Sequence, residues 1–364
     1  MSTATSTSRK QVSGGRDYGY ANARIRGMRS RLLTKELLER FITAPSMQSL
    51  IQDLLDTEYA PEIEESTIKG RDASAIDEAL KNNMVRTYRK VLSFLNTEAE
   101  YILTTLLGRW DIFNMKTVLR GKQMHLSADE IKEGLLPAGF LTQVDLDAFA
   151  SVEDVRAVVD TAVTWGLPYA SAMREGYMEF MRSGELQDLE LAMDRYYADW
   201  ADKRLGRRGQ NIQLARQLLR KQVDIANLVT VFRFQKADTE SIDVESFFLE
   251  GGDVIKKDLY VELAGMSDVD EVLDRLRGSP YGKTLDDVAV AFLEENSIAV
   301  FERALEDYLM RKALYTGTGD PLGVGVAIAY LWAKQNEVTN LRIIVRGKEV
   351  GMPEDRVRGE LILV

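Results

Sequence analysis

The sequence contains no cysteine and one histidine. Without cysteine there are no disulfides, thiolate nucleophiles or cysteine-ligated metal sites, and one histidine is too few for a multi-histidine metal centre. That histidine, His125, lies in a polar connector before a helix start, and we interpret it as a surface residue. These absences exclude many catalytic chemistries, and we expect no metal and no cofactor.

Long apolar runs are also absent. The longest, Val324 to Ala333, has ten residues, whereas a helix that crosses a bilayer needs about 20. Residues 1–17 are rich in serine and threonine without the apolar stretch of a secretory signal, so we interpret them as a flexible leader. We expect a protein that stays in the cytoplasm and does not span the membrane.

Acidic residues outnumber basic residues, which gives the chain a net charge of -10. A phosphate backbone repels an acidic protein unless its basic residues are strongly segregated, so we expect no nucleic-acid partner. A local basic patch remains between residues 203 and 221, although charges spaced in this way are typical of a solvated helix face.

Apolar residues recur at spacings of three and four, which predicts amphipathic helices and an all-α fold. The prediction rests on long segments with few alternating β-branched runs. The predicted helices include residues 29–42, 75–107, 152–165, 186–203 and 298–315.

One motif occurs three times along the chain. It consists of an acidic residue, an asparagine three positions later and an arginine six positions after that, and successive asparagines are 113 residues apart. The three copies are Asp111, Asn114 and Arg120; Asp224, Asn227 and Arg233; and Glu337, Asn340 and Arg346. Two further markers keep nearly the same period: the acids Asp77, Glu190 and Glu302, and the tyrosines Tyr59, Tyr169 and Tyr281.

A repeat of about 112 residues can hold a small helical core of its own. Three such copies account for nearly the whole chain and leave no separate catalytic domain. We predict three helical subdomains related by pseudo-threefold symmetry, at residues 18–139, 140–251 and 252–364, with approximate and interleaved boundaries after the leader at 1–17.

The repeated residues favour structural roles. A buried polar group must find a partner, so we expect the acid and the asparagine to form hydrogen bonds within each subdomain. For the repeated arginines two interpretations remain open, a salt bridge inside the repeat or contact with a partner.

Two glycine-containing segments resemble phosphate loops without matching them. The segment Gly278 to Thr284 has one residue too few between its glycines, and its Pro280-Tyr281 is the repeat counterpart of Pro168-Tyr169. The segment that starts at Thr316 follows a helix instead of a strand. We expect no nucleotide binding.

Both ends of the chain resemble a known family. The segments YGYANARIRGMRSRLLTKELLERFI from Tyr18 and NEVTNLRIIVRGKEVGMPEDRVRGELI from Asn336 are similar to the C subunit of A/V-type ATPases, which is called the d subunit in vacuolar enzymes. Copy two departs from the pattern, because Phe234-Gln235 replaces the Gly-Lys of the other copies, and this leaves its connector uncertain.

The resemblance implies a funnel-shaped, non-catalytic subunit on the cytoplasmic face of the membrane proteolipid ring. The central shaft, formed by the D and F subunits, would enter its mouth, and the protein would pass torque between ring and shaft during ATP-linked proton or sodium transport. Our candidates for partner contact are Arg24, Arg26, Arg29, Arg31, Lys203, Arg204, Arg207 and Arg208. Two alternatives are a free-standing helical scaffold that binds other proteins, and a helical enzyme that uses carboxylates alone.

Overall fold

The structure is a computed structural model that describes residues 18–70, 72–95, 97–236 and 243–363. The predicted leader, residues 1–17, lies outside these ranges. Twenty α-helices and one 3-10 turn make up the regular structure of the described residues, and these contain no strand. The all-α prediction is confirmed.

The helices are numbered in chain order. The first seven are α1 (Tyr18–Arg29), α2 (Lys35–Thr43), α3 (Met47–Leu55), α4 (Ala60–Lys69), α5 (Ala73–Leu92), α6 (Thr97–Leu107) and α7 (Arg109–Gln123). They are followed by α8 (Ala128–Gly134), α9 (Gln143–Ser151), α10 (Val155–Thr164), α11 (Ala170–Ser183), α12 (Leu186–Leu205) and α13 (Gln210–Phe234). After the 3-10 turn Val244–Phe247 come α14 (Lys257–Ala264), α15 (Val269–Leu276), α16 (Gly282–Asp286), α17 (Ala289–Glu295), α18 (Ala299–Gly319), α19 (Gly325–Glu349) and α20 (Glu354–Glu360).

Two of the predicted helices are wrong in extent. The segment 29–42 is interrupted because Thr34 caps the start of α2, where its side chain accepts a hydrogen bond from the Leu37 backbone N–H. Such a hydroxyl satisfies a free amide at a helix start and ends the regular pattern before it. The segment 75–107 is divided between α5 and α6. The predictions for 152–165, 186–203 and 298–315 are confirmed as α10, α12 and α18.

The buried apolar side chains form three cores. One contains residues from the interval 112–193 and a second contains residues from 225–308. The third joins the two ends of the described chain, because side chains between Tyr18 and Leu107 pack with others between Met310 and Val357. The first core draws on both sides of the predicted boundary at 139/140. The boundaries themselves stay a prediction.

The long helices link the three copies in a cycle. Helix α7 packs against α12, α13 packs against α18, and α19 packs against α5. In each case the helix that carries the repeated motif contacts the helix of the following copy that carries the acidic marker, Asp77, Glu190 or Glu302. The third copy contacts the first in this way. Head-to-tail contacts of one kind that return to their starting point form a closed ring.

Helices α7 and α19 end in the same way. The Leu126 N–H donates to the Gly121 carbonyl at 2.9 Å, and the Met352 N–H donates to the Gly347 carbonyl at 2.7 Å. This six-residue closure satisfies free carbonyls at a helix end and requires a left-handed residue. His125, at φ 57°, fills that position after α7, which explains its exposed place.

Glycine at the end of α7 and α19 allows a short helix to pack closely. A Cβ on Gly121 would lie 2.4 Å from Ile131 Cγ1, and one on Gly347 would lie 2.8 Å from Val357 Cγ2. In copy two Phe234 occupies this place and packs edge-on against Phe247, with ring centroids 5.3 Å apart. The side chain excludes a closely packed helix, and a 3-10 turn is found there instead.

No helix among the described residues combines the length and the apolar character that crossing a membrane requires.

Truncating a core aromatic tests the second core. Phe301 is fully buried and stacks on Phe232, with ring centroids 4.4 Å apart. We expect Phe301→Ala to lower the free energy of unfolding by about 3–5 kcal/mol, because it leaves a cavity as well as removing buried area. Phe113, which is 46% exposed, is the control, and Phe113→Ala should cost less than about 1 kcal/mol. Urea unfolding followed by circular dichroism measures both, and equal losses would contradict the assignment of the core.

Candidate functional site

The repeated asparagines make one contact in all three copies. Each side-chain amide donates to the carbonyl of the residue 22 positions later and accepts a hydrogen bond from the N–H of that same residue. The pairs are Asn114–Leu136 at 2.7 and 2.7 Å, Asn227–Leu249 at 2.9 and 2.9 Å, and Asn340–Ile362 at 3.0 and 3.1 Å. The amide thereby fixes the connector against the long helix.

The repeated acids bind the backbone that leads into the next copy. Asp111 accepts hydrogen bonds from the N–H groups of Phe140 and Leu141, both at 2.9 Å. A carboxylate with two such donors is well satisfied although it is buried. Asp224 accepts from the corresponding pair at 2.9 Å each, Val254 and Ile255.

Both aspartates lie against a glycine. A Cβ on Gly139 would fall 2.4 Å from an Asp111 carboxylate oxygen, and one on Gly252 would fall 2.2 Å from an Asp224 oxygen. Any larger residue would displace the carboxylate from its N–H donors. These glycines therefore belong to the repeated site, although the sequence motif does not include them.

In the third copy the N-terminal segment supplies the donor. Glu337 accepts from the Leu33 N–H at 2.5 Å, from the Tyr59 hydroxyl at 2.7 Å and from the Lys334 ammonium at 2.8 Å. Lys334 and Glu337 are only 3% and 7% exposed. A buried carboxylate needs such compensation, and burial also lowers the pKa of Lys334.

The contact of Leu33 with Glu337 has a counterpart elsewhere in the sequence, which the repeated motif does not include. Residues 32–41 read LLTKELLERF and residues 140–149 read FLTQVDLDAF. In both, the leucine N–H binds a repeated acid and the following threonine, Thr34 or Thr142, caps the next helix. A direct comparison of residues 32–41 with residues 140–149 would have revealed this match.

The marker tyrosines lie at the repeated acids. Tyr281 donates its hydroxyl hydrogen to Asp224 at 2.8 Å, as Tyr59 does to Glu337. Burial, together with the nearby carboxylate, raises the pKa of both tyrosines well above the usual range. Beside the acid of the first copy, Asp111, Tyr169 of the second copy is buried, but its hydroxyl has no hydrogen-bond partner among the described residues.

The first copy differs from the others around this tyrosine. A cavity of about 150 Å³ lies beside Asp111 and Tyr169, and Tyr197, Trp200 and Arg204 also line it. Burial raises the pKa of Asp111 to about 6, against the opposing effect of the two backbone N–H donors. Asp111 accepts hydrogen bonds from two backbone N–H groups, whereas Asp224 and Glu337 each accept one from a tyrosine hydroxyl as well.

Two of the three repeated arginines form ion pairs with the acidic marker of the next copy. Arg120 donates twice to Glu190, at 2.6 Å each, and Arg233 donates twice to Glu302, at 3.0 and 2.8 Å. These fork-like contacts fix orientation as well as distance. They connect successive copies along the same direction as the helix packing.

The third arginine breaks this pattern. Arg346 is exposed and forms no hydrogen bond or ion pair with any residue that the structure describes. The marker acid Asp77 instead binds Arg342, one turn earlier on α19, and Lys81 at 3.0 Å. The contact between the third copy and the first is therefore kept, with a different arginine.

The residue two positions after each repeated arginine caps a neighbouring helix. Lys122 donates to the Ala150 carbonyl at 2.6 Å, and Lys348 donates to the carbonyls of Ile42 and Ala44 at 2.7 and 2.6 Å. Cations at a helix C-terminus satisfy free carbonyls there. In copy two the neutral Gln235 reaches the Leu263 carbonyl at 3.4 Å, so the replacement of Gly-Lys keeps the contact.

The candidate partner residues on α1 and just after it lie on the surface. Arg24 stacks over Phe94 with 4.8 Å to the ring centroid, Arg26 donates to the Pro321 carbonyl at 3.2 Å, and Arg31 pairs with Glu58 at 3.4 Å. Arg29 is exposed, with no hydrogen bond or ion pair to described residues. Their contact with a partner stays a prediction.

The candidates between residues 203 and 208 differ in their exposure and contacts. The Arg204 guanidinium is half-buried, stacks over Trp200 with 5.1 Å to the ring centroid and donates to the Thr105 hydroxyl at 2.9 Å, so it serves an internal contact. Lys203 is exposed and pairs with Asp199 at 2.7 Å. Arg207 and Arg208 are exposed, and within the described residues their side chains form no ion pair.

The segment that resembles a phosphate loop is a structural turn. Between Gly278 and Thr284 the chain turns into the short helix α16, and Tyr281 within it is fully buried against Asp224. Over the described ranges no group of three or more histidine, aspartate or glutamate side chains could hold a metal ion.

Comparison with known proteins gives one consistent answer. The model of a family described as ATP synthase (C/AC39) subunit matches residues 21–360. The C subunit of the A-type ATP synthase of Methanosarcina acetivorans is 28% identical over 357 residues, which cover 98% of this chain and 95% of the relative. The C subunit of the V-type ATP synthase of Deinococcus radiodurans is 30% identical over 345 residues, which cover 95% and 91%. That of Methanocaldococcus jannaschii, of the A type, is 26% identical, covering 95% and 86%.

Removing one asparagine tests the connector contact. We expect Asn227→Ala to lower the free energy of unfolding by roughly 2–4 kcal/mol, since the N–H and carbonyl of Leu249 both lose their partner. Asn227→Asp should cost a similar amount, because a carboxylate oxygen then faces the carbonyl. Asn82, exposed on α5, is the control, and Asn82→Ala should change stability by less than about 0.5 kcal/mol. Urea unfolding measures all three, and no loss in Asn227→Asp would exclude the paired contact.

The raised pKa of Asp111 predicts a pH dependence. Its folded pKa of about 6 exceeds the unfolded value of about 3.9, so between these values the folded state binds more protons. The free energy of unfolding should therefore fall by up to about 3 kcal/mol as pH rises from 4 to 6. In the Asp111→Asn variant, the free energy of unfolding measured across that pH range should not show this fall. A carbon-detected NMR titration of the wild type that placed the Asp111 carboxyl near 4 would refute the shift.

Proposed function

The chain belongs to the family of ATP synthase (C/AC39) subunits, and from that premise we propose that it is the central-rotor subunit that joins the membrane proteolipid ring to the central shaft. In this role it is a socket that passes torque during ATP-linked proton or sodium transport. The match over residues 21–360 carries the proposal. The D and F subunits are the proposed shaft, and the cytoplasmic side of the membrane is the proposed location.

The general part of this function follows from family membership. The chain is a subunit of an A- or V-type ATP synthase, and this family is a stalk component without an active site of its own. Catalysis of ATP synthesis belongs to other subunits of the complex.

The cyclic packing supports a position on the rotor axis. The contacts of α7 with α12, of α13 with α18 and of α19 with α5 repeat one arrangement three times and return to the start. A body built in this way presents similar surfaces around its centre, as a part on a rotary axis must. A funnel with the shaft in its mouth is the shape that we propose for it.

The polar contacts between copies support torque transfer. A torque-bearing part must resist shear between its own modules, and well-packed interiors transmit strain. Here each junction contains a buried acid bonded to the next copy and an arginine–carboxylate pair. Breaking one partner of such a contact is costly, so the modules should move as one body.

A free-standing scaffold is the second candidate, since a fold alone does not fix a function. It predicts recovery of the protein from gently prepared membranes without other ATP synthase subunits. The near-complete coverage of ATP synthase subunits by this chain favours the rotor.

Reconstitution tests the proposal. The purified chain, mixed at micromolar concentration with the D and F subunits and with the detergent-solubilised proteolipid ring from the same organism, should elute in size exclusion as a complex with each. Bovine serum albumin in place of the chain is the control for nonspecific capture. Failure to bind the shaft, or failure to bind the ring, would overturn the rotor assignment and favour the scaffold.

A further inference from the structure

We propose that three exposed apolar side chains, Ile68, Met178 and Val290, form a repeated docking surface for a ring of identical protein subunits whose apolar contact sites are bordered by basic groups. These three residues are called the tip patch below. The inference rests on the proposed function and adds to it the face of the molecule that meets the ring.

The tip patch occupies one position of the repeat. Each of its residues lies nine positions after a marker tyrosine, Tyr59, Tyr169 or Tyr281. Their exposures are 87% for Ile68, 55% for Met178 and 67% for Val290.

A buried apolar residue precedes each tip residue. The residues four positions after the tyrosines, Ile63, Met173 and Leu285, are fully buried in all three copies. In the first two copies the tip residue follows five positions later on the same helix, α4 or α11, which is about 140° further round. In the third copy the buried residue lies on α16 and the exposed one on the next helix, α17.

In two copies the exposed apolar surface is larger. Met181 and Leu293 follow three positions after the tip residues and are 63% and 70% exposed. Side chains three apart on a helix are neighbours on its surface. The tips of copies two and three therefore each present a pair of exposed apolar side chains.

Internal stability does not explain this surface. A single exposed apolar residue needs no explanation. Here the exposure recurs at one position in three copies whose sequences otherwise differ widely, and contiguous exposed apolar surface marks interaction sites. A shared external contact accounts for the recurrence.

The surrounding charge indicates a protein instead of a lipid surface. Acidic side chains are exposed close to every tip residue: Glu64 and Glu65, Glu175 and Glu179, and Asp286, Asp287 and Glu294. Among the side chains that the structure describes near the tips, the exposed basic groups are fewer, namely Arg174, Arg182 and Lys283, and Arg182 is paired with Glu179 at 3.1 Å. Anionic headgroups would be repelled, whereas apolar side chains with a basic border complement this surface.

The cyclic arrangement indicates a partner with repeated subunits. The contacts that link the copies return from the third copy to the first, and the proposed surface has its three tips distributed around a common centre. A single asymmetric protein could engage one tip, but a ring on the same axis offers equivalent sites to all three. Three weak contacts engaged together bind far more tightly than one.

Lysine substitutions test the tip patch. The triple variant Ile68→Lys, Met178→Lys, Val290→Lys removes the apolar contacts and places positive charge against the basic groups of the proposed partner. Lysine remains a good helix former. Binding to the detergent-solubilised proteolipid ring, measured by biolayer interferometry, should weaken by at least about 100-fold, and each single variant should weaken it roughly threefold to tenfold. Binding to the D and F subunits should be unchanged.

A matched triple variant controls for exposed apolar residues in general. Val144, Tyr315 and Leu322 are 77%, 74% and 56% exposed and do not recur between the copies. Their triple replacement by lysine should leave ring binding within about threefold of the wild type. Circular dichroism should show unchanged helical content in both triple variants.

The outcomes separate this inference from the proposed function. Equal ring binding by the wild type and the tip triple variant would overturn the docking surface and leave the rotor assignment standing. Absence of ring binding by the wild type would overturn both. Two further results would overturn the inference: wild-type binding to vesicles of phosphatidylcholine and phosphatidylglycerol in equal parts that the lysines strengthen, or self-association of the wild type that the tip triple variant loses.

Discussion

The fold depends on a buried carboxylate at the same point of each long helix. A carboxylate removed from water is unstable unless hydrogen-bond donors surround it. In the third copy the long helix supplies one such donor, Lys334. In every copy a donor comes from the backbone that enters the following copy: Leu141 for Asp111, Ile255 for Asp224 and Leu33 for Glu337. The requirement to satisfy three acids therefore determines which copies are neighbours.

The third junction shows how this requirement is met with different residues. Its donor comes from the opposite end of the sequence, and the longer Glu337 side chain is accompanied by the buried Lys334. The lysine at this position of copy two, Lys221, lies beside Asp253 instead. The two ends of the described chain also share one apolar core. In the proposed rotor role this junction matters, because an assembly of modules is only as resistant to shear as its weakest junction. The junction between the third copy and the first has an ion pair between Arg342 and Asp77.

The copies have diverged where their surroundings differ. Phe234 replaces glycine in copy two, and its bulk replaces a short helix by a 3-10 turn, yet Gln235 still reaches the carbonyl that Lys122 and Lys348 reach in theirs. Tyr169 keeps its place beside Asp111 but loses the hydrogen bond that Tyr281 makes. Apolar tips persist at Ile68, Met178 and Val290. Packing and capping thus tolerate exchange of residue type when the geometry of the contact is kept.

The sequence by itself determined the helical class, the three copies and the residues that mark them, because helical periodicity and a fixed repeat length are local properties of the chain. Only the tertiary structure decided that Arg342 and not Arg346 binds Asp77, and that Arg204 is turned inward. These contacts join residues up to 265 positions apart, and no local pattern specifies which distant group will satisfy a buried charge.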